Sequence, residues 1–246
     1  MKQLILIIGL VSLQLAGASQ TKFYSAVKIE FERNTNPRKL MEEWNAGQDW
    51  FERFKDNIPT TAIVYSEFIG DTARSVYKPG KDVAYDMRSF YRPVADKNVV
   101  YSDYVSGTKI SQKPVYEETF LITDSLSKIK WKITNDLRTI AGFECRKAFG
   151  ILNDTIGIFA FYTDQILVNG GPESVQGLPG MILGMGIPRL HTTWFATKVE
   201  ILNDTKGLVP PLKGKKVDIQ SFQATLNKLA ERWGPQARQM LLNFII

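Results

Sequence analysis

Near the N-terminus hydrophobic and polar positions alternate. Phe23, Val27, Ile29 and Phe31 fall on one face of an extended segment, and Lys28, Glu30 and Glu32 on the other. That period of two predicts a half-buried strand. The period then changes. Pro37 suits the first turn of a helix, and Leu40, Trp44, Phe51 and Phe54 follow at spacings that line one helical face. Gly47 weakens the middle of this helix and Pro59 ends the segment, which predicts a helical insertion over residues 37–57.

From Thr60 to about Thr205 the pattern is mostly β. Strands are predicted over 60–69, 72–77, 99–104, 109–111, 115–123, 129–134, 140–152, 156–162, 181–185 and 191–202, with turn chemistry at Gly70-Asp71, Pro79-Gly80, Ser106-Gly107 and Asp124-Ser125 between them. Successive strands with short links predict an antiparallel meander. Ile151-Leu152-Asn153-Asp154-Thr155 recurs as Ile201-Leu202-Asn203-Asp204-Thr205 and reads as two strand ends of similar construction, too short for a duplicated domain. After Asp218, a capping residue, Phe222, Leu226, Leu229 and Trp233 return to a helical period, and Gly234-Pro235 starts a second helix that runs into an apolar end. Residues 218–246 are therefore helices that cover an open sheet or dock a partner.

The stretch from Gln165 to Pro188 holds six glycines and three prolines among apolar residues, so it is a shaped loop and not a linker. Within it lies the heptad Gly177, Leu178, Pro179, Gly180, Met181, Ile182 and Leu183. Pro179 presets the first corner of a turn and Gly180 takes a positive φ, so the heptad predicts a type II turn that launches an apolar strand. Gly184 and Gly186 then predict a bulge or a close backbone approach.

Residues 1–18 read as a secretory signal peptide: Lys2, the apolar run Leu4 to Leu15, and the small-x-small pattern Ala16-Gly17-Ala18. Ala18 stands where a lipoprotein would have its acylated cysteine, so the exported chain is expected to carry no lipid and no transmembrane segment in its mature form. Residues 19–246 read as a single β-rich domain. The net charge of +6 is spread along the chain, and its densest basic run, Lys213 to Lys216, is too short to argue for nucleic acid. Cys145, the one cysteine, excludes an intramolecular disulfide and reads as a buried structural thiol.

Three stretches in order carry a family resemblance: Trp131-Lys132-Ile133-Thr134, Ile140 to Ala148, and the heptad followed by Phe195-Ala196-Thr197-Lys198-Val199. Together they resemble the GLPGLI family, exported proteins of Bacteroidetes-type bacteria, with Met181 in place of the usual leucine. The resemblance covers most of residues 60–216. It implies a mainly β (α+β) fold with a curved antiparallel sheet or half-barrel similar to lipoprotein-carrier folds, a periplasmic or outer-envelope location, and no catalytic residues that can be carried over.

Chemistry-bearing patterns are sparse. His191 is the only histidine, which excludes a metal site built on several imidazoles, and no nucleophile elbow, zinc-protease helix or phosphate loop is present. No cofactor is expected. Asp82 and Asp86 read as solvated loop charges, and Glu117 and Glu118, as neighbours on a strand, should face opposite ways. The aromatic and guanidinium groups are more suggestive. Trp44 and Phe51 on the helical insertion, and Tyr85, Arg88, Tyr91 and Arg92 on one loop, are the residues expected to meet a ligand or partner. The helices either close the concave face or act as a lid over a lipid-sized cavity. The leading functional expectation is non-enzymatic binding of an apolar or lipid ligand, or of an outer-membrane or envelope protein. The alternatives are an envelope hydrolase acting on glycan or peptide, and a purely structural interaction module.

Overall fold

The computed structural model describes residues 22–83, 91–205 and 207–246. The leader read over residues 1–18, the loop residues Tyr85, Asp86 and Arg88, and the Trp44 side chain lie outside the described residues.

Twelve strands form one curved, unclosed sheet: β1 (Ala26–Thr35), β2 (Ala62–Asp71), β3 (Arg74–Pro79), β4 (Val99–Asp103), β5 (Thr108–Val115), β6 (Glu118–Ser125), β7 (Lys132–Ile140), β8 (Phe143–Leu152), β9 (Ile156–Thr163), β10 (Met181–Ile187), β11 (Thr192–Ile201) and β12 (Lys215–Val217). Their order is β12-β6-β5-β4-β3-β2-β1-β11-β10-β9-β8-β7. Two antiparallel meanders, β1–β6 and β7–β11, thus meet where β1 pairs with β11. The expected meander holds throughout, with one addition. β12 pairs with β6 in parallel, Lys215 opposite Phe120. Three residues from a basic run are too short a segment for period two to register.

The alternation in β1 does what it predicts. Val27, Ile29 and Phe31 are fully buried on the concave face, while Lys28 turns outward and pairs with Glu67 on β2. Phe23 precedes the strand and is exposed. The long strand expected over 140–152 is instead a hairpin. Ala141 and Gly142 both take positive φ, the geometry of a tight two-residue turn, and Ile140 pairs with Phe143. The echoed pentapeptides differ in use. Asn153 and Asp154 take positive φ to turn β8 into β9, whereas the Thr205 hydroxyl donates to Asp71 after β11.

The helical insertion is two short helices, α1 (Pro37–Asn45) and α2 (Asp49–Phe54), broken at Gly47 with φ +80°. The break takes Phe51 and Phe54 off a common stripe: Phe51 is buried and Phe54 half exposed. At the other end, α3 (Ile219–Trp233) and α4 (Pro235–Leu242) cross the open side of the sheet. Phe222 and Leu226 pack on Phe120 and Ile122 of β6, with the Phe120 and Phe222 ring centroids 5.3 Å apart. Ile246 packs into the β8–β10 cluster with Trp194 and Met185. The segment therefore bridges both meanders and covers the concave face. Among the described residues no helix is long and apolar enough to cross a membrane.

α3 starts where Asp218 accepts a hydrogen bond from the Ser221 main-chain N–H at 2.6 Å, which holds the Asp218 carboxyl below its ordinary range. Asp218→Ala is expected to lower the melting temperature by roughly 2–4 °C. Thermal unfolding that shows no change would mean that α3 does not depend on this cap.

Candidate functional site

A polar seam runs across the inner face where the three apolar clusters meet. Register dictates its members. The inward phase of β1 continues from Phe31 to Arg33 and Thr35, and the cross-strand partner of Arg33 on β11 is Trp194. Ser66 on β2, Tyr77 on β3, Asn98 before β4 and Lys113 on β5 follow on the same face, all buried. Glu173 enters from the loop before β10, 4 % exposed and with φ +56°.

The contacts within the seam are few for so many charges. Asn98 Nδ2 donates to Glu173 Oε2 at 3.3 Å. Lys113 Nζ donates to the main-chain oxygens of Phe244 at 2.6 Å and Ile246 at 2.9 Å. Arg33 Nη1 reaches only the Ala95 carbonyl, at 3.5 Å. Burial pushes the Glu173 carboxyl up, against the opposing pull of Lys113 and Arg33. Burial likewise pushes the Lys113 ammonium down to about 8. The Tyr77 hydroxyl sits at the centre of the seam against Ser66, Trp194 and Glu173, and Arg33 Nε and Asn98 Oδ1 are buried with no hydrogen-bond partner.

The heptad anchors the loop that carries Glu173. The Gly180 N–H donates to the Leu178 carbonyl at 2.8 Å, a turn closed one residue earlier than the expected type II turn, with Pro179 at its centre. Gly180 does take a positive φ, +140°. Met181 N–H donates to Ile166 and Ile182 N–H to Gly170, which ties the loop's entry to its exit. The expected bulge is present as a register shift between Ile182 and Gly184. Leu178, Met181, Ile182 and Leu183 are buried.

On the surface, an open groove of about 480 Å³ lies between the β5–β6 hairpin and the end of α3. The Tyr116 and Trp233 rings stand 4.6 Å apart at 80°, 58 % and 42 % exposed. Tyr116 has φ +55° at the first position of a two-residue turn, a place that ordinarily takes glycine. Glu117 falls in that turn and not on a strand, so Glu117 and Glu118 line the same groove, opposite Arg232, contrary to the diverging faces expected of them.

The sequence-predicted contact residues are dispersed. Phe51 is buried in α2 with its ring edge-on to Trp50. Tyr91 is half-buried beside the seam, its phenol pushed up by burial and in contact with Thr35. Arg92 is exposed and donates to the Tyr91 carbonyl at 2.9 Å. His191 pairs with Glu43 at 2.7 Å, and Asp82 with Lys97 at 3.3 Å. Cys145 is buried, its thiol pushed up to about 12. Among the described residues no three metal-ligating side chains cluster. Arg33, Lys113, Glu173 and the Tyr116–Trp233 pair were not singled out from the sequence. The usable signal was a charge in the apolar phase of a strand, at Arg33; Lys113 lies between the two strands predicted over 109–111 and 115–123.

No curated protein matches the chain. Two crystal forms of PNGF-II are similar in fold. Each superposes with a TM-score of 0.52 at 14 % identity, covering 81 % of this chain and 32 % of that one in the first form, and 83 % and 33 % in the second. The chain thus spans about a third of the length of these structures. The model of the family described as N-glycanase peptide, N-terminal domain, matches residues 95–223, more than half of the sequence, and the chain belongs to that family.

Proposed function

We propose that the protein is an exported oligosaccharide-recognition module whose sugar seats in the Tyr116–Trp233 groove. One observation carries the reading. Two aromatic rings stand exposed at a right angle in a groove that also presents carboxylates and a guanidinium. A pyranose offers an apolar C–H face and a rim of hydroxyls. The ring faces suit the first, and Glu117, Glu118 and Arg232 suit the second. A tyrosine held at φ +55° where glycine would be relaxed is a stability cost that a binding role explains. The family description names an N-glycanase, an activity on glycans, which supports the same ligand class. The leader read over residues 1–18 supports export, and the GLPGLI-type heptad lies inside the family match. α3, α4 and the last residues occupy the concave face where an apolar or lipid ligand would sit, which favours the outer groove.

Titration calorimetry with a free N-glycan oligosaccharide tests this. Trp233→Ala is expected to weaken binding about tenfold or more. Tyr116→Gly is expected to abolish it while keeping or raising the melting temperature, because glycine suits the turn. Equal affinity in all three proteins, or no binding by the native chain, would overturn the assignment. Release of sugar products during the titration would replace recognition by hydrolysis.

A further inference from the structure

We infer that the β7–β8 corner of the sheet docks on an anionic lipid surface. Four large apolar side chains stand there, Ile133 and Leu137 on β7 and Phe149 and Ile151 on β8, each at least 44 % exposed. Register puts them on opposite faces. Ile133 and Leu137 pair with Ala148 and Arg146, on the even-numbered face of β8, whereas Phe149 and Ile151 lie on its odd-numbered face. β7 ends the sheet order, so no strand flanks its outer edge among the described residues. A single exposed apolar residue needs no explanation, but four at one corner do. A protein surface laid on this corner would cover one face of the hairpin and leave the other wet. A deformable interface closes around both.

Charge identifies the interface. Residues 128–151 hold six lysines and arginines against two acids, a net +4 in a chain whose total is +6. Lys128, Lys130 and Lys132 are exposed, and Lys132 lies directly across from Phe149 on the same face. Lys147 Nζ stands 4.8 Å from the centre of the Phe149 ring, and the Arg138 guanidinium 4.6 Å from that of Phe195. Long cationic side chains laid along apolar ones hold their heads at the level of lipid phosphates while the apolar groups enter the headgroup–acyl boundary. Asp136 lies 4.0 Å from Lys147 and offsets that charge alone. A second copy of this chain would bring the same positive corner against itself, so charge disfavours self-association. The open edge of β7 sets the depth. A terminal strand keeps a row of main-chain N–H and C=O groups that need water, so the corner stops at that boundary and does not enter the hydrocarbon. In the sheet order β7 and β8 lie at the far end from β6 and β12. The Tyr116–Trp233 groove therefore stays open to the medium, and this inference does not rest on sugar recognition there.

Sedimentation with phosphatidylcholine vesicles, with and without phosphatidylglycerol, tests it. Residues 19–246 are used, because the apolar run read as a leader over 1–18 would itself bind lipid. The native protein should sediment with the anionic vesicles only, and added salt should release it. Phe149→Gln with Ile151→Gln, and separately Lys130→Glu with Lys132→Glu, should each lower the partition coefficient about tenfold or more. All four residues are exposed, so both variants should melt with the native protein. A polarity-sensitive fluorophore on Ile133→Cys or on Ile151→Cys should report an apolar setting on anionic vesicles at both positions; Cys145 is buried and stays unlabelled. No sedimentation with anionic vesicles, equal partition of the folded variants, or a response from one label only would overturn the inference. Retention of the native protein on a polygalacturonate resin without vesicle binding would assign the corner to an acidic polysaccharide instead.

Discussion

Gly180→Ala is expected to lower the stability by about 3 kcal/mol or more, enough to threaten the fold. Two independent terms act at this residue. Its φ of +140° lies in a region that L side chains rarely adopt. A Cβ there would also sit 2.1 Å from the Thr163 carbonyl oxygen and 2.9 Å from Asp164 Cα. Both obstacles are main chain, at the end of β9, so no side-chain rotation relieves them. Relief requires β9 and β10 to separate at the point where Met181 pairs with Thr163. Gly157 provides the contrast. It lies exposed at the start of β9, has no positive φ, and leaves open space for 4 Å around the place a methyl group would take, so Gly157→Ala should be neutral or slightly stabilising. Urea unfolding of the two variants checks the pair. Equal stabilities would mean that the heptad is not the rigid anchor of the loop.

That loop shows where local pattern stops being informative. The heptad announced a tight turn because proline and glycine have strong local preferences, and positive φ is found at Gly180. The reason for the glycine is different and non-local, since the obstructing atoms come from β9. The same division runs through the molecule. The alternation of Val27, Ile29 and Phe31 and the stripe of Phe222 and Leu226 were legible because burial imposes the period of the element on its sequence. The two-residue turn at Ala141-Gly142 was obscured because apolar residues continue on both sides of it.

The candidate sites were less legible still. Tyr116 and Trp233 belong to a hairpin tip and a helix end, far apart in sequence, and only the packing of α3 on β6 brings their rings together. Glu173 lies in a loop with no period to violate. Arg33 did leave a trace, since it occupies the inward phase of an otherwise regular strand, whereas Lys113 shares its inward phase with Lys109 and Ser111 and stands out less. A charge in that phase marks a position where the fold accepts a desolvation cost, and Arg33 proves to be part of the seam that also holds Lys113.

The cost at Lys113 sets the last expectation. The stability difference between the native protein and Lys113→Met should widen by about 3 kcal/mol as pH rises from about 8 towards the ordinary lysine value of 10.5. Burial lowers the folded pKa to about 8, so over that window the unfolded chain binds the proton and the folded chain does not. Stability therefore rises with pH there. Below the window both states are protonated and the full desolvation penalty applies. Near pH 7 methionine removes the costly charge but strands the main-chain oxygens of Phe244 and Ile246, so the two effects oppose and the proteins differ least. Above the window a neutral amine still donates to both oxygens, and the native protein keeps those bonds without the penalty. Tyr77 and Tyr104 work in the opposite direction, because burial raises their phenols and stability falls as the unfolded chain ionises. Both proteins share that loss, so it cancels in the difference. The raised carboxyl of Glu173 acts from the acid side: its contribution is complete below the ordinary carboxylate value and is lost as pH rises through the folded value. Urea unfolding of both proteins at intervals from pH 7 to pH 10 measures the gap. A gap that stays constant would show that Lys113 is not charged in a dry seam, and the bond from its ammonium to the C-terminal segment would have to be redrawn.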